Sequence, residues 1–133
     1  MPSPNLIEQE LNLPQMIKSI KNGLPISKFQ KLRDNLGVPD KDLAKYIRIP
    51  KSTLSIRKRK GKFSFVESER LYRIQRLFTK ALEVFEDVDL ARKWLKEDAY
   101  GLGDKSPLEY AATEIGAREV EDLLGRIEHG VFS

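Results

Sequence analysis

The chain has 133 residues, of which 40% are hydrophobic and 33% are charged, and it contains no cysteine. This composition is typical of one globular domain or two small ones. The missing cysteines exclude disulfides, a Cys-based zinc site and a Cys nucleophile. No stretch free of charged residues exceeds seven residues, whereas a membrane span needs about 18. No secretory signal is recognisable, so we expect a cytoplasmic protein.

Charge is distributed unevenly along the chain. Residues 1–66 carry 14 Lys and Arg against 5 Asp and Glu, a net charge of +9, whereas residues 67–133 carry 10 against 15, a net charge of −5. A basic half of this kind favours a polyanionic partner, and the acidic half favours a different one. The alternative is that both sets of charges are solvated helix faces without a partner.

Helix signals dominate the sequence, and we predict an all-α fold. Residues 1–26 contain four prolines and predict a loose arm with one short helix at residues 14–21. Ser27 is placed to cap the next helix, whose apolar residues are spaced by three and four. Asp40 is placed to cap a short helix, and another follows Pro50 and ends at Gly61.

The second half predicts one long helix followed by shorter ones. Ser64 and Glu67 have the spacing of a capping box, in which each side chain binds a free amide of the other residue's turn. The apolar stripe that follows extends to about residue 86. Further helix starts are predicted at Asp87 or Asp89, at Ser106-Pro107 and near Ala117, the last helix ending at about Glu128.

Apolar groups of the long helix extend beyond one stripe. They are Phe65, Val66, Tyr72, Leu77 and Val84. A helix in a small domain rarely buries two faces internally, so the second face favours a partner chain, most simply a second copy. The alternative is that the N-terminal helices cover it.

Residues 40–60 have the pattern of a helix-turn-helix. A small residue lies in the middle of the first helix, and apolar residues lie one before it and three, five and ten after it. These residues are Leu43, Ala44, Ile47, Ile49 and Leu54. The register resembles the Xre-type, lambda-repressor-like helix-turn-helix.

Two residues depart from that pattern. Arg48 occupies the place in the turn where glycine often adopts a positive φ, and a non-glycine residue there costs about 1 kcal/mol. Arg57 occupies a place that is usually apolar, with Ile56 beside it. We therefore expect the second helix either to be rotated or to make a different contact at this point.

The second helix of the pair is strongly basic, with five positive charges between residues 57 and 62. Lys and Arg neutralise phosphates, and Ser and Thr at a helix start bind base edges or phosphates. The alternative is a basic interaction module that does not contact DNA. The predicted DNA-binding residues are Lys51, Ser52, Thr53, Ser55, Arg57, Lys58 and Arg59.

The region from Ser64 onward is similar to the toxin-binding domain of the Xre/MbcA/ParS antitoxin family. The similarity covers about 70 residues and depends on the order of several short motifs. These motifs are Leu77–Phe85, Ala91–Leu95, Leu102-Gly103, Ser106–Leu108, Thr113-Glu114, Gly116–Val120 and Leu123–Gly130. With it we expect an N-terminal arm at 1–26, a helix-turn-helix domain at 27–63 and a toxin-binding and dimerisation domain at 64–133.

The resemblance implies a type II antitoxin that works by binding. It would block the active site of a RES-domain toxin, an NAD-consuming or ADP-ribosylating enzyme, and it would dimerise and repress its own operon. The C-terminal tail would either enter the toxin's pocket or fray, as terminal residues usually do. The residues expected to bind the toxin are Arg126, His129, Gly130, Val131, Phe132 and Ser133.

Catalytic and cofactor signatures are missing from the sequence. His129 is the single histidine, and it has no accompanying nucleophile motif. No phosphate-binding glycine loop is present. Two carboxylate clusters, at residues 83–89 and 119–122, could suggest a metal site or an acid–base pair, but they are more typical of solvated helix faces. We expect no enzyme activity, no cofactor and no metal. A dimeric transcription regulator without a toxin partner stays open as the alternative function.

Overall fold

The computed structural model describes residues 12–130. Within that range the chain forms eight α-helices and one short 3₁₀ turn at Tyr100–Leu102, and the predicted all-α class is confirmed. The boundary between two compact units falls between Tyr72 and Arg73, inside the longest helix. The helices are α1 (Leu13–Asn22), α2 (Ile26–Leu36), α3 (Asp40–Tyr46), α4 (Lys51–Lys60), α5 (Phe65–Phe85), α6 (Val88–Lys96), α7 (Pro107–Tyr110) and α8 (Glu114–Glu128).

The N-terminal unit contains α1 to α4 and the first turns of α5. Helix α2 packs against α3, and α3 packs against α4. The apolar residues at the helix-turn-helix positions are all buried, as their spacing predicts. The buried apolar side chains of α2, α3 and α4 with the turn between them are Phe29, Leu32, Leu36, Leu43, Ala44, Ile47, Ile49 and Leu54.

Two predicted helix caps in this unit are wrong. Helix α2 begins at Ile26, with Pro25 in the N-cap position instead of Ser27. Helix α3 begins at Asp40 itself, with Pro39 as the N-cap. Both prolines have a fixed φ near −70° and an extended ψ, so the chain enters each helix without a side-chain cap.

The segment before α2 pairs with the segment after α4. The Phe63 amide donates to the Leu24 carbonyl at 2.9 Å, and the Ile26 amide donates to the Gly61 carbonyl at 2.9 Å. Gly23 has a φ of 96°, and a Cβ at that position would lie 2.3 Å from the Phe63 carbonyl oxygen. Only glycine allows the two backbones to approach this closely.

The C-terminal unit contains the rest of α5 together with α6, α7 and α8. Helix α6 packs against α7, and α7 packs against α8. Asp87 caps α6, and Ser106 and Glu109 form the predicted capping box at α7. Helix α8 begins at Glu114, three residues earlier than predicted, because the Thr113 hydroxyl accepts the Gly116 amide and caps the helix there.

The predicted second apolar face of α5 is only partly exposed. Phe65 and Val66 retain 47% and 55% of their accessible surface, while Tyr72 and Val84 are half-buried. Leu77 is fully buried, so placing it on a partner-binding face was wrong. No helix among residues 12–130 has the length and apolar character that crossing a bilayer requires.

Candidate functional site

Helix α4 is the basic second helix of the helix-turn-helix. It begins after Pro50 and ends at Lys60, and the following Gly61 caps it with a φ of 85°. Its last turn holds four consecutive cations, Arg57 to Lys60, which interact favourably with the negative end of the helix dipole. The sequence therefore forms a short helix with a high positive charge at its C-terminal end.

Leu54 and Arg57 point from α4 into the domain, and the opposite face is open to solvent. Leu54 is 5% exposed, and residues three apart lie on the same side of a helix. Ser52, Ser55 and Arg59 lie on the exposed side. Of the seven predicted DNA-binding residues, Lys51, Ser52, Ser55, Lys58 and Arg59 are exposed, whereas Thr53 and Arg57 are partly covered.

Arg57 makes a contact different from the apolar one usual at its position. Its Nε donates to Oε1 of Glu67 at 2.7 Å, and its Nη2 donates to Oε2 at 3.2 Å. The Ser64 amide also donates to Oε1 of Glu67 at 2.9 Å, and the Glu67 amide donates to the Ser64 hydroxyl, which completes the predicted capping box. At this position of the motif, an ion pair between Arg57 and Glu67 therefore replaces the usual apolar contact.

The pKa of the Glu67 carboxyl reflects two opposing effects. Burial raises this pKa, but hydrogen bonds from Arg57 and Ser64 outweigh it, and the pKa lies below the ordinary value. The side chain is 10% exposed. Glu67 is thus held as a carboxylate in a mostly buried place by its two partners.

A second cluster of charges connects three helices at the edge of α4. Asp40 Oδ1 accepts from Arg33 Nη1 at 2.8 Å, and Oδ2 accepts from the Lys58 ammonium. The hydrogen bonds from Arg33 and Lys58 lower the pKa of Asp40. Lys58, one of the predicted phosphate contacts, is consequently paired with a carboxylate of its own domain.

A groove of about 510 Å³ lies between α3 and α4. Its floor is apolar, and lysines from both helices stand around it. Such a surface suits the sugar-phosphate backbone of a duplex, because ammonium groups neutralise phosphates. The residues that line it are Asp40, Lys41, Ala44, Lys45, Ile49, Lys51, Leu54, Ser55 and Lys58.

The turn between α3 and α4 has the predicted strained residue. Arg48 adopts a φ of 58°, the left-handed conformation that its place in the motif predicts. Arg70 Nη1 donates to the carbonyls of Ile47 and Arg48, each at 3.4 Å. Arg70 was not among the predicted functional residues, and no local sequence pattern relates it to a turn 22 residues away.

In the C-terminal unit, cations of α5 pair with carboxylates of α8. Arg73 Nε lies 3.1 Å from Glu114, Arg76 Nη2 lies 2.7 Å from Glu121, and Lys80 Nζ lies 3.2 Å from Glu128. Arg76 also contacts Glu114 at 3.2 Å. The three carboxylates are seven residues apart, so they lie on one side of α8. We call these pairs the α5–α8 ion-pair ladder.

The predicted toxin-binding residues fall at the C-terminal end of the chain. Arg126 and His129 are exposed at the end of α8, and Gly130 follows with a φ of 69°. Val131, Phe132 and Ser133 lie outside the described residues. Among residues 12–130, no group of three or more His, Asp or Glu side chains could hold a metal ion.

An exposed basic helix held in a helix-turn-helix, followed by a separate helical unit, defines a DNA-binding regulatory protein. Residues 15–76 match the antitoxin Xre-like helix-turn-helix domain, and residues 80–130 match the antitoxin Xre/MbcA/ParS C-terminal toxin-binding domain. The chain belongs to the Xre antitoxin family, as its predicted resemblance indicated.

Two curated relatives share most of its length. An antitoxin Xre from Yersinia enterocolitica serotype O:8 / biotype 1B is 35% identical over 132 residues, which cover 94% of this chain and 89% of the relative. An antitoxin Xre from Photorhabdus laumondii subsp. laumondii is 34% identical over 122 residues, which cover 90% and 82%. Both domains of the family are therefore present in one chain, in the order expected from the sequence.

Proposed function

We propose that this protein neutralises a RES-domain toxin, an enzyme that consumes NAD or transfers ADP-ribose, by covering its active site. The observation that carries the proposal is the match of residues 80–130 to a toxin-binding domain. The proposed contact surface is the end of α8 with the tail, from Arg126 through His129 to Ser133. It blocks the enzyme by occupying space, and the antitoxin itself catalyses no reaction.

The same chain represses its own operon through α4. Support comes from the match to an Xre-like helix-turn-helix and from the exposed basic side of α4 described above. Cationic side chains supply affinity for the phosphates, and Ser52 and Ser55 are exposed where they can reach base edges. The protein works in the cytoplasm, where both operator and toxin are found.

The active form is a homodimer. Phe65 and Val66 are neighbouring apolar side chains with about half of their surface exposed at the start of α5, and a second copy would cover them. Two copies of α4 would also match an operator with two half-sites, which is the usual arrangement for this motif.

The decisive experiment is co-expression with the product of the adjacent gene. Expression of a RES-like neighbour alone should stop growth, this protein should restore growth, and the two should co-purify. Growth arrest without rescue would instead favour a transcription regulator that has no toxin partner. A binding assay with the upstream intergenic DNA tests the repressor role separately.

A further inference from the structure

Helix α4 is attached to its domain through few side chains, and one of these attachments, the Lys58–Asp40 ion pair, lies near the surface with Lys58 43% exposed. Leu54 is its single buried residue, and one buried side chain restrains the rotation of a helix about its axis only weakly. Arg57 lies on the same face three residues further on, and its guanidinium reaches Glu67 in the first turn of α5. Of the two ion pairs of α4, Arg57–Glu67 is the more buried, so the rotation of α4, and with it the direction of its exposed side chains, depends chiefly on Arg57.

Glu67 is well suited to act as a fixed point. Its carboxylate is held by the Ser64 amide as well as by Arg57, and its side chain is mostly buried. A two-point hydrogen bond between a guanidinium and a carboxylate is directional, whereas an apolar contact at the same place tolerates sliding. The ion pair therefore specifies the angle of α4 more closely than the usual apolar residue would.

The basic run from residue 57 to residue 62 consequently contains cations with different surroundings. Arg57 is paired and directed into the domain, with 24% of its side chain exposed. Arg59 lies two residues further on, about 200° around the helix, and is exposed. A count of positive charges in the sequence treats these two arginines alike, but the structure shows that Arg57 is paired within the domain and Arg59 is exposed to solvent.

We infer that Arg57 is a positioning residue, which sets the orientation of the DNA-reading helix through Glu67 and contacts no phosphate itself. The inference rests on the proposed binding of operator DNA. It removes one residue from the predicted set of DNA contacts and adds Glu67, an acidic residue, to the residues on which sequence recognition depends.

Salt dependence distinguishes a positioning residue from a phosphate contact. Each phosphate contact contributes about 0.9 to the slope of log affinity against log salt concentration. Loss of Arg59 should therefore lower the slope by about 0.9 and weaken binding to all duplexes alike. Loss of Arg57 should leave the slope unchanged and weaken binding to the preferred sequence by about tenfold, with a much smaller effect on unrelated DNA.

The test uses the full chain and a duplex that the wild type selects from a random-sequence library. Affinities for this duplex and for a scrambled one are measured over a range of KCl concentrations for the wild type, R57Q, E67Q, the double variant and R59Q. Glutamine at 67 can still accept the Ser64 amide and keep the cap. If R57Q does not fold, R57K replaces it, because lysine keeps the charge but loses the two-point contact.

We expect R57Q, E67Q and the double variant to lose specific affinity to the same extent, with unchanged slopes. A lower slope for R57Q, equal to that of R59Q, would overturn the inference. So would tighter binding by E67Q, because that result would mean that Glu67 competes with phosphate for Arg57. If the wild type selects no duplex, the proposed repressor function fails and the inference fails with it. If the wild type binds and the variants behave as phosphate contacts, only the inference fails.

Discussion

The carbonyl oxygen of Tyr110 occupies the space in which Gly116 would carry a side chain. A Cβ placed on Gly116 would lie 1.8 Å from that oxygen, far inside van der Waals contact. Gly116 also donates its amide to the Thr113 hydroxyl at 3.0 Å, in the cap of α8. The close approach of α7 to the start of α8 therefore requires glycine at this position.

Replacing Gly116 with alanine should lower the free energy of unfolding by about 3 kcal/mol, because the helices must separate to admit a methyl group. Chemical denaturation monitored by circular dichroism measures the change. Gly125 is the matched control, since it lies in the same helix and a Cβ there meets no atom within 4 Å. G125A should raise the free energy of unfolding by about 0.5–1 kcal/mol. Equal stabilities of G116A and wild type would contradict the packing described here.

Replacing Arg48 with glycine should stabilise the protein. A non-glycine residue in the left-handed conformation is strained by about 1–2 kcal/mol, and Arg48 has a φ of 58°. R48G should raise the free energy of unfolding by about 0.5–1 kcal/mol, since part of the relief is offset by the greater freedom of glycine in the unfolded chain. R48A, which removes the same side chain but keeps a Cβ, should give no gain. A thermal melt of both variants would show the difference.

These two positions illustrate how far the sequence could predict the structure. The strain at Arg48 was predictable, because the turn of a helix-turn-helix has a fixed backbone and the apolar residues set its register. The need for glycine at 116 was not, because it comes from a backbone oxygen of another helix. Local signals such as the capping box of Ser64 and Glu67 were likewise recognised.

Contacts between distant residues were the part that the sequence did not provide. Glu67 has the spacing of a cap, and nothing in its neighbourhood indicates that it also binds Arg57. Arg73 and Glu114 are 41 residues apart, so their pairing depends on how α5 and α8 cross. Charge counts identified the basic and acidic halves correctly, but they did not separate the cations that are paired within the protein from those that are free to meet a ligand.

Asp40 should limit the affinity for DNA, because it pairs with Lys58 beside the α3–α4 groove. D40N should release the ammonium for a phosphate and steepen the salt dependence of DNA binding by about 0.9 in the logarithmic slope. It should also cost about 1 kcal/mol of stability, since Arg33 loses one of its two carboxylate partners and keeps only Asp34. D42N is the control, because Asp42 lies in the same first turn of α3 and takes no part in this cluster. An identical slope for D40N and D42N would refute the prediction.

Stability should decrease at acidic pH through three carboxylates. The pKa values of Asp40, Glu67 and Glu114 lie below their ordinary values of 3.8, 4.5 and 4.5. At Glu114 burial raises the pKa, but the hydrogen bonds and charges of Arg76 and Arg73 outweigh it. A carboxyl with a lower pKa in the folded state stabilises the fold fully above its unfolded pKa, and that contribution is lost as the pH falls through the folded value.

The free energy of unfolding should therefore be nearly constant above about pH 5.5 and fall below about pH 4.5. Urea denaturation at a series of pH values measures this dependence. In E114Q the fall should be shallower, because glutamine does not titrate and the α5–α8 ion-pair ladder has already lost one carboxylate. A variant curve that runs parallel to the wild type would show that Glu114 does not contribute.

Removal of the last four residues should separate the two proposed activities. The chain shortened to end at His129 keeps α8, the α5–α8 ion-pair ladder and the whole helix-turn-helix, so its thermal melt and its affinity for operator DNA should equal those of the full chain. Its capacity to rescue growth from the toxin should be lost, because Gly130 to Ser133 form the last part of the proposed toxin-contact surface. F132A tests the aromatic side chain alone, and we expect partial loss of rescue. Full rescue by the shortened chain would show that α8 and the rest of the C-terminal unit block the toxin without the tail, and the surface around Arg126 would then be the next to vary.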